Sequence, residues 1–142
     1  MTRVTRRALL ALPLALPALA AAPRTGVVTG LRAAAGQVVV ALHATSASFP
    51  SRFADAAALV RSPAPAPETV LRLAAPAPGR YALIAVHDED GDGVMTKNFL
   101  GLPREGYGAP GGVTRLGPPR FGAALLDIAG GETIVIPLWY PS

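Results

Sequence analysis

Asp88, Asp90 and Asp92 stand at alternate positions in His87-Asp88-Glu89-Asp90-Gly91-Asp92-Gly93. With Glu89 they place four of the chain's nine acidic residues within five positions. Carboxylates this close repel one another unless a cation or water screens them. Alternate oxygens around a glycine turn are the donors that a hard divalent cation takes. Three readings stay open: a structural ion site, a solvated turn built from the Asp and Gly that turns favour, and a catalytic metal centre. His87 directly precedes the cluster and could pair with it or ligate a metal. In the catalytic reading it is the general base of a metal-assisted hydrolase; in the structural one, its loss should leave folding nearly intact.

The spacing Asp88-x-Asp90-x-Asp92-Gly93 matches the first half of an EF-hand calcium loop. The twelfth position from Asp88 is Phe99, where that loop needs a bidentate Glu, and the preceding run is strand-like, so this is not an EF-hand. Further oxygens could come from the Val94 carbonyl, Thr96, Asn98 or Glu105 if the following segment folds back. With hard donors and no cysteine, Ca²⁺ is the ion this set would take, since Mg²⁺ usually keeps several waters. Other chemistry is thin. No Gly-x-Ser-x-Gly is present, and no Gly-x-Gly-x-x-Gly follows a strand into a helix. His43 reads as an ordinary strand histidine, and Trp139 and Tyr140 as packing aromatics that could also form a ligand platform. No catalytic residue is assigned, and the chain reads as non-enzymatic.

The elements that must position the cluster are strands. Thr25 to Leu31, Val38 to His43, Thr69 to Leu73, Arg80 to Val86 and Thr133 to Tyr140 are short runs rich in β-branched residues and bounded by Gly and Pro. Ala123 to Ile128 is a weaker one, and Arg52 to Val60 fits a helical turn followed by a strand. Six or seven such strands at roughly 8 to 12 residue spacing predict an all-β fold, a sandwich or a barrel. Pro137 lacks an N–H, which predicts an edge position or a bulge for the last strand. Val94 to Arg120, 27 residues with ten glycines and prolines, exceeds the usual loop limit of about 12 to 15 residues. Its Phe99, Leu100, Leu102, Tyr107 and Leu116 predict a long ordered loop after the central strand, packed on its own side chains.

The N-terminus reads as an export signal. Arg3, Arg6 and Arg7 precede an uncharged run of Ala, Leu and Pro from Ala8 to Ala22 that contains Ala18-Leu19-Ala20. That run is broken by Pro13 and Pro17 and is shorter than the about 20 apolar residues a membrane span needs. Thr5-Arg6-Arg7-Ala8-Leu9-Leu10 also resembles a twin-arginine signal. Residues 1–20 are therefore expected to be cleaved, leaving 21–142 as one domain with no membrane span, in the periplasm or secreted. The signal holds three of the 13 basic residues and no acid, so the remaining chain carries ten basic and nine acidic groups, net +1. Its basic residues are scattered, which excludes a nucleic-acid footprint. An envelope protein or a small ligand is the partner class left. Without cysteine there are no disulfides, and the core must hold the domain, with help from any ion.

Three stretches carry a family resemblance: Arg80-Tyr81-Ala82-Leu83-Ile84-Ala85-Val86-His87-Asp88-Glu89-Asp90-Gly91-Asp92-Gly93, then Asn98 to Gly108, then Gly117-Pro118-Pro119-Arg120-Phe121. Together they resemble the domain of unknown function 2141 family, small exported bacterial proteins with no assigned activity. Members of that family often have Asn where this chain has Asp90 and Asp92, Asp at Thr96, and Phe-Ser-Asn at Ala109-Pro110-Gly111. The resemblance implies export, and the Gly79-Arg80-Tyr81 entry to the strand also resembles prealbumin-like sandwich modules, so the expected fold is a single Ig-like or prealbumin-like β-sandwich. It implies no activity, which leaves three functional classes: a binding or structural domain with a calcium-stabilised loop, the hydrolase, and a subunit of a cell-envelope assembly.

Overall fold

A computed structural model describes residues 11, 13–14, 22–95, 97, 100, 103–113, 118–129 and 131–141. The strands are β1 (Arg24–Thr29), β2 (Gln37–His43), β3 (Ala58–Pro63), β4 (Glu68–Leu73), β5 (Arg80–Asp88), β6 (Tyr107–Gly108), β7 (Leu125–Asp127) and β8 (Ile134–Pro137). Among the described residues one four-residue helix, α1 (Phe121–Ala124), and a 3-10 turn at Phe53–Asp55 complete the regular structure. The fold is all-β. A three-stranded sheet has the order β4-β1-β8, and a second sheet runs β3-β2-β5-β6 with β7 also on β5. β1 runs antiparallel to β4 and parallel to β8; every pairing in the second sheet is antiparallel. Among the described residues no helix is long and apolar enough to cross a membrane.

Alternation along each strand sorts the side chains. Val28, Leu71, Leu73, Ile134 and Ile136 of the first sheet meet Val38, Val40, Leu42, Tyr81, Leu83 and Ala85 of the second, which makes the two sheets a sandwich around one core. The opposite residues of β2 and β5, Ala41, Ile84 and Val86, face away from that core. They are covered by Phe49, Phe53, Met95, Tyr107, Val113 and Trp139. Both faces of β5 are thus buried, which explains why it reads as a continuous apolar run rather than an alternating one.

Several sequence expectations shift in detail. β5 runs two residues beyond Val86, so His87 and Asp88 belong to the strand and not to the loop. The long segment after it contains β6, a two-residue strand with Gly at one of its positions, too short to leave a periodic signal. Tyr107 also bridges Trp139, linking the second sheet to the chain beyond β8. Ala123 and Ala124 lie in the helical turn rather than in a strand, in keeping with alanine's preference. Pro137 does lie on an edge strand, opposite Thr29. The proposed signal falls mostly on residues 1–10, 12 and 15–21, outside the described residues.

Candidate functional site

Asp88 ends β5 opposite Gln37, which begins β2, on the sheet face that the loops cover. Its carboxylate is 1% exposed and accepts from three donors: Gln37 Nε2 (2.7 Å), Asp92 N (3.1 Å) and Gly93 N (2.9 Å). An ionised carboxylate offers about four acceptor positions, so Asp88 has one left. Asp90 Oδ1 accepts from Asp92 N at 3.2 Å, and Asp92 Oδ1 from Val94 N at 2.9 Å, two successive Asx turns. Gly91 (φ 73°) and Gly93 (φ 79°) take the left-handed conformations that reverse the chain between them.

Carboxylate oxygens of Asp88, Asp90 and Glu105 lie within 4.8 Å of one another. Glu105 is 4% exposed and comes from 17 positions along the chain, held by the Glu89 N–H at 3.1 Å. The fold-back expected of the segment after Val94 therefore occurs, and it delivers Glu105 beside the two aspartates. Asp92 is not in this group; its carboxylate shapes the turn. Thr96 and Asn98 lie outside the described residues. Two buried carboxylates and one exposed one, all hard oxygen donors with one open position on Asp88, form a set that fits Ca²⁺.

Glu89 points away from the group. It accepts a two-pronged pair from Arg32 (2.7 and 2.9 Å), and these hydrogen bonds hold its carboxyl below the usual carboxylate range. The Arg32 guanidinium also lies 4.4 Å from the Tyr140 ring centre, while the Arg32 N–H donates to the Tyr140 hydroxyl at 3.2 Å. Burial raises the Tyr140 phenol above its ordinary value. That hydroxyl lies 2.7 Å from His87 Nδ1, and His87 Nε2 lies 2.7 Å from the Ala35 carbonyl oxygen. A carbonyl only accepts, so Nε2 carries a proton and donates, and in the neutral ring Nδ1 accepts from the phenol. His87 is fully enclosed with both nitrogens engaged. A histidine that ties two segments together in this way argues against the expectation that its loss would leave folding nearly intact.

Two glycines permit the approach of these segments. At Gly36 (φ 64°) an added Cβ would overlap the Asp88 carbonyl oxygen and lie 2.7 Å from that of Glu89. At Gly106 it would overlap the Tyr140 ring. Gln37, Gly36 and Arg32 were missed as site residues by sequence reasoning, and Tyr140 was read only as a packing aromatic or part of a ligand platform.

At the far end of the same covered face lies His43, opposite Ala82 and also fully enclosed. Ser48 Oγ donates to the Thr45 carbonyl (3.3 Å) and accepts from His43 Nδ1 (2.8 Å). Among the described residues His43 Nε2 has no partner, and Phe49 meets the ring edge-on at 5.5 Å between centres. Burial lowers this imidazole's affinity for a proton below the ordinary value.

No curated protein and no solved structure gives a significant match to this chain. A family described as an uncharacterized protein conserved in bacteria matches residues 27–136, a span that takes in every strand from β2 to β7, the acidic loop and Glu105. The chain belongs to that family, DUF2141.

Proposed function

We propose that this is an exported, non-enzymatic β-sandwich domain whose acidic loop binds Ca²⁺ through Asp88, Asp90 and Glu105. The ion fixes the segment that covers one face of the second sheet, and that segment is the surface presented to a ligand or envelope partner. The observation that carries the reading is the convergence of the three carboxylates, two of them buried, within 4.8 Å. Burying like charges together is costly unless a cation compensates them. The charged start and apolar run of residues 1–22 support export. The sealed, doubly bonded His87 supports a structural role over that of a general base, which must reach a substrate proton.

Thermal unfolding in calcium and in chelator tests the ion. Calcium at about 100 times its dissociation constant contributes roughly 2.7 kcal/mol, a rise of several degrees in the midpoint. Asp90→Ala, at an exposed position, should abolish the rise while leaving the chelated protein nearly unchanged. Asp88→Ala should lower the midpoint in both conditions, because three N–H donors lose their acceptor. Equal midpoints with calcium and with chelator would refute the ion and leave a self-sufficient acidic turn. Turnover of an ester, phosphoester or glycoside that disappears in Asp90→Ala with the fold intact would instead establish the hydrolase.

A further inference from the structure

The three-stranded sheet turns one face to solvent, and its edges differ. β8 is four residues long and ends in Pro137, while β3, at the edge of the other sheet, carries exposed Arg61 and Pro63. Charge and proline are the usual means of blunting an edge. β4 has six residues and no proline, its two charges are of opposite sign, and no described strand pairs with its outer side, although its Thr69 hydroxyl meets Ser62 Oγ and the Pro63 carbonyl of β3. Its outward residues are Glu68, Val70 and Arg72, with Val70 61% exposed at the centre.

Glu68 and Arg72 lie about 13 Å apart along the strand, too far to pair with each other. Among the described residues neither forms an ion pair. Two copies of β4 placed antiparallel about a two-fold axis at Val70 set Glu68 of each opposite Arg72 of the other, and Val70 opposite Val70. The strand is thus charge-complementary to itself in one register; a slip of one residue would turn its exposed face inward. The same pairing extends an existing row. Val27 lies beside Val70 on one side and Val135, itself 53% exposed, on the other. Joining two sheets would make six valines continuous across six strands.

We infer that β4 is a self-association edge, and that its partner is a second copy of this chain. The inference stands apart from the calcium reading, since β4 belongs to the other sheet.

Sedimentation equilibrium of the purified protein from micromolar concentration to about 0.5 mM, well into the range of weak interfaces, should show a species of twice the chain mass. Val70→Lys sets two ammonium groups face to face at the axis and should abolish the dimer, with circular dichroism confirming that the exposed substitution leaves the fold intact. Glu68→Arg alone should weaken association about tenfold or more by creating two like-charge pairs. Glu68→Arg with Arg72→Glu should restore it, as only the self-complementary register allows. Val135→Lys should have no effect on edge pairing, but would break a dimer formed by stacking the valine faces. A monomer throughout, a dimer indifferent to Val70→Lys, failure of the double reversal to rescue, or loss of the dimer in Val135→Lys would each overturn the proposal.

Discussion

His87 and His43 sit at opposite ends of the β2/β5 pair and on opposite faces of its sheet, both fully enclosed, yet their surroundings differ. His87 is bonded at both nitrogens, by groups brought from residues 35 and 140. His43 is bonded at one nitrogen by a serine five residues away, its other nitrogen has no partner among the described residues, and Phe49 and Phe53 pack against the ring. Burial alone thus says little about a polar side chain's role. At one end the ring ties distant segments together; at the other it fills space in a layer of loops and retains an unmet hydrogen bond.

The strongest way to break the His87 end is Gly36→Ala. A methyl group there meets backbone, which cannot rotate aside, and the residue would also be held at positive φ. The expected loss is about 3 kcal/mol or more, a drop of roughly 10 °C in the melting midpoint, together with any calcium response. His87→Leu comes next. It keeps the volume but strands the Tyr140 hydroxyl proton and the Ala35 carbonyl, and should cost about 2 to 4 kcal/mol in urea unfolding. A cost below about 0.5 kcal/mol would mean that the ring's hydrogen bonds do not hold the segments together.

The His43 end should respond to acid. Its folded-state pKa is lowered by burial, whereas the unfolded ring titrates near about 6.5. Stability from this residue is therefore full above that value and is lost as the pH falls below it, until the folded pKa is passed. Urea midpoints measured between pH 7.5 and 5 should decline more steeply for the native protein than for His43→Leu. Parallel declines would place the acid sensitivity elsewhere. The smallest effect expected is from Arg32→Ala, about 1 kcal/mol or less, because the Arg32 side chain is 41% exposed and water screens its pair with Glu89.

The contrast also marks what the sequence made legible. β-Branched runs and Gly and Pro punctuation located the strands, because those signals are local. Asp88, Asp90 and Glu105 were recognisable from charge density and donor type, and the turn built on Asp90 and Asp92 from the Asp and Gly spacing. What could not be read was the partnership of each group. Gln37 reaches Asp88 only because strand register sets them opposite, and Glu89 leaves the acidic cluster only because Arg32 waits across the loop. His87 and Asp88 diverge because β5 continues past Val86, sending adjacent side chains to opposite faces. Register and strand length are settled by tertiary pairing, which no short window contains.

The parallel pairing of β1 with β8 has a kinetic consequence. The first strand of the sandwich waits for the last, and the Arg32 N–H meets the Tyr140 hydroxyl across 108 positions. Closing so long a chain segment must precede the gain from the contacts it creates, which places the domain among slow folders of high contact order, on the millisecond to second scale. A partly emerged chain can form the β2/β3 hairpin, but it can complete neither the three-stranded sheet nor the lock around His87. Such a chain stays open until nearly all of it is available, the state a polypeptide needs if it is to be threaded through a membrane channel before it folds.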